Sequence, residues 1–400
     1  MEKLSILLVI GSAIVISLWA GKTSRLFHLP MVIGYVIIGV LLGRSFLNIF
    51  NPGLVSNMGI INDLALGIIA FIIGGELKFN RLKALGKMIV VIALFESLGA
   101  FFVITIASYL LVKKVYIALI LGAVGCATAP AATVAVINQY RARGPLTTTV
   151  LGVVGSDDAI ALIVYAFVSA ISLPFIVPHT FSTLSMFINP IKQIFLSLLI
   201  GSGLGLGLSY LLNRIRSKEE SFALVIGALL IGEGIAIQFD LSELLLVMTM
   251  AIIVSNLASH RFHPVMDSLS IAGFPIIAAF FCLAGTKLNI RLLPQIGWLG
   301  LVYLLSRLIG KFLGARLGAC ISGAPLNVRK YIGLCLWPQI GVAVALAIMV
   351  ERDFVYLGVA GQNLATLVIN ILLFTTIFTE IIGPLATKFA LVHAEEIKRN

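Results

Sequence analysis

Apolar runs long enough to cross a lipid bilayer recur from one end of this 400-residue chain to the other, and no other feature constrains its fold as much. At 1.5 Å of rise per residue, about 20 apolar residues cross roughly 30 Å of hydrocarbon. There every backbone N–H and C=O needs an internal partner, so runs of this length cross as helices. Such segments fall at 3–20, 30–43, 59–76, 88–112, 115–139, 147–170, 191–212, 222–238, 241–257, 268–286, 296–320, 330–350 and 358–386. The fold class is an all-α polytopic membrane protein with about 13 transmembrane helices. Composition agrees: 60% of residues are hydrophobic and 11% charged, against about a quarter charged in a soluble domain.

The first run, residues 4–20, lacks a basic leader and an Ala-x-Ala exit, so it reads as a first span rather than a cleavable signal. No stretch between spans is long enough for a soluble domain, and the tail after Pro384 is short and charged. Residues 1–400 are therefore expected to form a single transmembrane unit with no soluble regulatory domain. Cys126, Cys282, Cys320 and Cys335 all lie in apolar stretches without metal or redox spacing and read as small core residues.

Charge supplies the orientation. The chain has 28 Lys+Arg against 17 Asp+Glu, a net charge of +11. In a soluble protein that excess suggests nucleic acid; between membrane spans it marks cytoplasmic loops. With the N-terminus outside and spans alternating, 17 basic residues, from Lys22 and Arg25 to Lys398 and Arg399, share one side. Eight fall on the other, and Arg307, Lys311 and Arg316 lie within one span. The expected arrangement is a multi-pass protein of a bacterial inner or plasma membrane, N-terminus outside and C-terminus cytoplasmic.

An internal echo joins the two halves. Pro130-Ala-Ala-Thr-Val-Ala-Val136 and Pro338-Gln-Ile-Gly-Val-Ala-Val344 share P-x-x-x-V-A-V, each in the middle of a span. They lie in the fifth and twelfth spans, which cross in opposite directions, as inverted repeats require; interrupted helices at such places frame a midplane ion site. A Val/Ala-rich composition also yields such matches by chance.

Three groups of residues carry chemistry. Gly155-Ser156-Asp157-Asp158-Ala159 sits within a span, with apolar sequence on both sides. A central Asp costs about 2.5–3.5 kcal/mol to insert, and adjacent like charges favour one of them keeping a proton. A carboxylate that trades that proton for a cation has the properties of a transport site; a loop break with both Asp in water is the blander alternative. The second group is Arg307 through Lys311 to Arg316. Lys311 is too deep to snorkel comfortably, Gly310 and Gly314 allow close helix approach, and Asp157 is its natural carboxylate. Arg316 reads as a snorkelling anchor, while Arg307 could face the bundle or water. Third, Cys126-Ala-Thr128-Ala129-Pro130-Ala-Ala-Thr133 places two hydroxyls around a helix-breaking proline that frees a backbone carbonyl. Taken alone, this pattern is more often a kink than a ligand set.

Glu96 and Glu233, within spans, are secondary candidates; Glu76 and Glu380 lie near helix ends, where structural ion pairs are commoner. The five histidines map to loops or the tail. No Walker A sequence, dinucleotide fingerprint or metal-spaced cluster is present in the sequence. The expectation is a transporter rather than an enzyme, without a cofactor and without nucleic acid as a partner.

These residues resemble the monovalent cation:proton antiporters, in the branch containing Kef-type and NapA-type transporters. The likeness runs over nearly the whole chain: Leu29-Pro30 followed by Gly34-Tyr35-Val-Ile-Ile-Gly39-Val-Leu-Leu-Gly43, Ile73-Gly-Gly-Glu76-Leu-Lys with Arg81-Leu-Lys83, and Ala127-Thr128. It continues through Asp157-Asp158, Gly310-Lys311-Phe-Leu-Gly314, Gly341-Val-Ala-Val-Ala-Leu-Ala347 and Gly383-Pro384. The resemblance implies a NapA/NhaA-like antiporter fold, with inverted repeats and two crossed discontinuous helices. It also implies a homodimer in which a core domain, including about 59–170 and 268–386, moves against a dimerisation domain, including about 1–43 and 191–257. Ala129, Pro130, Pro338 and Gln339 would supply crossing-helix backbone around the site. Asp158 matches the carboxylate that binds Na⁺ and protons, Asp157 and Thr128 are further cation- and proton-binding candidates, and Asp157 matches the carboxylate paired with Lys311. Secondary candidates are Thr133, Glu96, Glu233 and Arg307. Many relatives have Arg-Gly-Glu after the proline of the twelfth span where this chain has Gln339-Ile340-Gly341, so local charge compensation must differ.

The resulting expectation is exchange of Na⁺, with Li⁺ or K⁺ as other candidates, for protons by alternating access. One rival is a gated cation channel with the same carboxylates lining a pore. A sodium-coupled organic-anion symporter ranks lower, since it needs neither adjacent Asp residues nor a buried Lys.

Overall fold

The computed structural model describes residues 6–26, 30–50, 58–77, 79–177, 183–215 and 217–397, and every regular element among them is helical. Nine helices among the described residues are long and apolar enough to cross a membrane. They are α1 (Ile6–Leu26), α3 (Gly59–Glu76), α4 (Phe79–Val112), α7 (Pro145–Ile176), α8 (Thr183–Arg214), α9 (Lys218–Gln238), α11 (Ser259–Thr286), α12 (Leu293–Ile321) and α15 (Gly358–His393). Two expected spans form shorter helices, α2 (Met31–Leu42) and α10 (Glu243–Leu257). The other two are broken in mid-span. The fifth divides into α5 (Val115–Gly125) and α6 (Pro130–Gln139), and the twelfth into α13 (Leu326–Tyr331), continued by a 3₁₀ turn at Ile332–Leu336, and α14 (Val342–Phe354). All thirteen expected spans thus fall on a helix or a pair of half-helices.

Local chemistry explains several boundaries. Gly86 bends α4 with φ +77°, a left-handed conformation that costs a Cβ-bearing residue dearly. Ser217 caps α9 by accepting from the Glu220 amide at 3.1 Å, and Glu219 and Glu220 favour the positive end of the helix. The start of α7 is capped from a distance: the Glu396 carboxylate accepts from the amides of Leu146 and Thr147 at 2.6 and 2.7 Å, and from Thr147 Oγ1.

Small residues set which helices meet. A Cβ on Gly310 would lie 2.8 Å from Ala100 Cα, and one on Gly99 would lie 2.7 Å from Gly314 Cα. These contacts press α4 and α12 together, backbone on backbone. Gly39 and Gly43 do the same for α2 against Cys282 and Thr286 of α11. Gly201 and Gly205 of α8, and Gly74 of α3, hold α10 between those two helices, with Leu244–Ala251 buried throughout.

Cys126, Cys282 and Cys335 are buried as expected, but Cys320 is exposed. The glycine face of α12 turns toward α4, so a residue two positions after Gly318 points the other way. Arg316, the expected anchor, is also exposed. Leu29, His28, His179, Lys3, Lys78, Arg216, Lys398 and Arg399 lie outside the described residues, as do the side chains of Arg81, Lys83, Arg261 and His263.

Candidate ion-binding site

The two broken spans meet where their backbones are extended. The Ala129 amide donates to the Pro338 carbonyl at 2.9 Å, and Thr133 Oγ1 donates to the Cys335 carbonyl at 2.8 Å. Their prolines act differently despite the shared motif. Pro130 occupies the first turn of α6, where its missing N–H is harmless. Pro338 stands in the break, and the chain turns helical again only after Gly341, whose φ is +52°. Gly383 of α15 packs on Pro338; a Cβ there would come within 2.7 Å of Pro338 Cδ.

Each break leaves carbonyls without intrahelical partners, and α12 supplies donors for them. Arg307, fully buried, donates to the carbonyls of Gly125 (3.1 Å), Ala127 (2.8 Å) and Trp337 (2.6 Å), with Pro338 at 3.4 Å. Two helical C-terminal ends, each equivalent to roughly half a negative charge, are thus met by one guanidinium. Gln339 adds a second tie, donating to the Val124 carbonyl and to the Tyr303 hydroxyl at 3.2 and 2.8 Å. Arg307 faces the bundle and caps both breaks.

One turn further along α12, Lys311 is also fully buried. Its ammonium donates to the Cys126 carbonyl and to Thr128 Oγ1, the latter at 2.7 Å. Its nearest carboxylate is Glu96 at 2.6 Å, with Asp157 at 3.5 Å. Sequence reasoning made Asp157 the natural partner and Glu96 secondary; here Lys311 bridges both, and Glu96 is closer. The signal was present: Glu96 precedes Gly99 by three residues, and Lys311 lies between Gly310 and Gly314. Opposed small-residue faces bring those two charges together. Asp158, 3% exposed, borders this cluster, and its Oδ1 has no hydrogen-bond partner among the described residues.

The structure therefore brings together Asp157, Asp158, Thr128, Lys311, Glu96 and Arg307 around the breaks at Ala129–Pro130 and Pro338–Gln339. Thr133 bridges the two spans and stands back from the carboxylates. Glu233 belongs elsewhere, on α9. Glu380, expected in a structural ion pair near a helix end, is fully buried, beside the Arg307 guanidinium and the Gln339 amide. It lies one turn before Gly383 on the face of α15 turned to Pro338.

Chemically, three carboxylates (Glu96, Asp157 and Asp158) share one ammonium. Ionised together, they exceed the charge of Lys311 by two, and that of Lys311 and Arg307 together by one, a state that is costly without added cations. The arrangement suits protons and a small hard cation, for which carboxylate, hydroxyl and carbonyl oxygens are the natural ligands.

A family model described as "Sodium/hydrogen exchanger, transmembrane" matches residues 10–392. The chain is 26% identical over 314 residues to a Na⁺/H⁺ antiporter of Enterococcus hirae, covering 76% of this chain and 80% of that protein. Its fold resembles that of the sodium proton antiporter MjNhaP1 of Methanocaldococcus jannaschii at pH 8, with a TM-score of 0.82 at 18% identity over 98% of this chain and 99% of that one. A structure of the same antiporter from electron microscopy gives a TM-score of 0.77 at 15% identity, with full coverage of both chains.

Proposed function

We propose, from the premise that this chain belongs to the sodium/hydrogen exchanger family, that Asp158 is the group at which cation and proton compete. As an exchanger it moves the two ions in opposite directions across the membrane, and the channel alternative is not favoured. The observation that carries the residue assignment is the sharing of Lys311 by Glu96 and Asp157, which leaves Asp158 beside them without an ammonium of its own among the described residues. Na⁺ is the proposed cation, held by Asp158 with Thr128 and a freed backbone carbonyl as neighbours. Lys311 and Arg307 hold the cluster together and are not themselves ligands.

In the proposed cycle Asp158 meets one side of the membrane at a time. On one side it exchanges its proton for Na⁺; on the other, Na⁺ leaves and a proton returns. The parts that move are the core helices within 79–170 and 293–386, against the helices within 1–43 and 191–257; α3 and α11 go with the latter set, to which Gly74, Gly39 and Gly43 join them. A homodimer joined through the latter set, N-terminus outside and C-terminus cytoplasmic, completes the proposal; the basic bias of the loops supports the orientation.

The test is dye-monitored proton movement in proteoliposomes challenged with Na⁺, Li⁺ and K⁺ in turn, with and without a voltage clamp. Wild-type protein should move protons against Na⁺, and Asp158→Asn should abolish exchange while remaining folded, because an amide cannot alternate between charged and protonated forms. Near-normal Na⁺-driven proton flux from Asp158→Asn would remove the assignment.

A further inference from the structure

A second cluster of carboxyl groups lies away from the crossing. A cavity of about 800 Å³ opens where α7, α9 and α14 end and α8 and α10 begin. Its lining includes Asp63, Tyr165, Lys192, Glu243, Arg352 and Asp353. Arg352 is the hub: it donates to Glu243, its Nε is 3.6 Å from Asp353, and its Nη1 is 3.9 Å from Asp63. Tyr165 donates to Asp353 at 2.8 Å.

Behind the cavity wall, one turn before the lining residues Ala236 and Ile237, stands Glu233 of α9. It is 4% exposed, and neither carboxyl oxygen has a hydrogen-bond partner among the described residues. Gly67 of α3 makes room for it; a Cβ there would lie 2.5 Å from Glu233 Oε1. The Glu233 carboxyl faces that of Glu243 within hydrogen-bonding reach. Two ionised carboxylates only accept hydrogen bonds, so this contact becomes a bond when one of them carries a proton. Glu243 already holds Arg352, so Glu233 is the group left to bring the proton.

We propose that Glu233 and Glu243 form a proton-binding pair, sharing one proton that enters and leaves through this cavity and supplies the ion site. The chemistry is a transfer between oxygens: an O–H bond of Glu233 breaks as one forms on water or on Glu243, with no change elsewhere. The route toward the ion site runs along α7. Tyr165 is seven residues beyond Asp158, two turns away on the same helix face, about 10 Å along the axis. Between them Ala161 and Leu162 are buried and separate the pair from Asp158. The pair is thus a proton reservoir about two turns beyond Asp158 along α7, distinct from the carboxylates around Lys311.

The transport part of this inference rests on the exchange reading; the proton on the pair does not. Both are tested on the full-length protein. The infrared difference spectrum of wild type minus Glu233→Gln near neutral pH should show the carbonyl stretch of a protonated carboxylic acid. Glu243→Gln, whose amide can donate to Glu233 in place of the proton, should lose the same band and serves if the first variant fails to fold. In proteoliposomes the Glu233→Gln rate at saturating Na⁺ should fall off at lower pH than in wild type, because proton loading limits the alkaline side. The apparent KM for Na⁺ at acid pH should keep its wild-type slope. A difference spectrum with carboxylate bands alone overturns the shared proton, and an unchanged alkaline limb overturns the supply role. Loss of exchange in wild type would be the failure of the exchange reading instead.

Discussion

Replacing Lys311 with Met removes the ammonium that Glu96 and Asp157 share while nearly preserving side-chain volume. At 2.6 and 3.5 Å, the two attractions amount to about 6 and about 5 kcal/mol at an effective dielectric near 20. Whole-protein stabilities are of the order of 5–15 kcal/mol, so the folded variant does not keep both groups ionised. It takes up a proton instead, at a cost set by the distance of the pH from the ordinary carboxylate range. Near pH 7 that distance is about 3 pH units, or about 4 kcal/mol per carboxyl protonated, within the 3–5 kcal/mol typical of a broken buried pair.

The sign of the pH dependence follows. The folded variant then binds more protons than its unfolded chain, so its stability rises as pH falls, by about 1.4 kcal/mol per unit for one proton. The deficit relative to wild type should be about 4 kcal/mol near pH 7 and should shrink to about 1 kcal/mol near pH 5. Denaturant unfolding in detergent at several pH values measures it. A Lys311→Met protein as stable as wild type near pH 8, with a parallel pH curve, would refute the shared ion pair.

The other predictions address the ion, the crossing and the helix contact. If one proton competes with Na⁺ at Asp158, the apparent KM for Na⁺ should rise about tenfold per pH unit on the acid side, with maximal rate changing much less. Flux assays with equal pH on both sides of the vesicle measure this, and a KM independent of pH argues against competition. Arg307→Met leaves several buried carbonyls without a donor at about 1–3 kcal/mol each, so its thermal unfolding should shift strongly downward, while Arg307→Lys recovers part of the loss. Gly314→Val puts a branched side chain where α4 has its backbone and should cost about 1–3 kcal/mol. It should also reduce exchange by parting Glu96 from Lys311; full activity would show that the close approach is dispensable.

The spans and their interruptions were legible because hydrocarbon allows so few solutions. A run of apolar residues of the right length is a helix, and a proline among small residues in mid-span marks a break. Asp157, Asp158 and Lys311 were legible for the same reason: a charge at that depth needs a partner or a function. What escaped was partnership. Sequence distance says nothing about whether Glu96 or Asp157 lies nearer to Lys311; that depends on how far α4 sinks toward α12, through Gly99, Gly310 and Gly314. Arg307 was ambiguous between bundle and water because its acceptors are main-chain carbonyls, which carry no residue signature. Glu380 looked peripheral because its position late in the chain was read as a helix end, whereas α15 continues to His393 and buries it. The shared P-x-x-x-V-A-V did foresee the two breaks, but not that the helix resumes at Pro130 in one copy and only after Gly341 in the other.

The clasp on the start of α7 has a mechanical meaning. Glu396 grips that end through Leu146 and Thr147, and about five turns later Tyr165 is held by Asp353 of α14. Asp157 and Asp158 lie between these two fixings, on a strut pinned at both sides of its midpoint. Bending the strut alone would have to break one of the pins. A displacement that carries the carboxylates from one face of the membrane toward the other therefore moves the strut, its pins and the C-terminal segment as one body. The two carboxylates ride on a stiff mount rather than on a flexible finger.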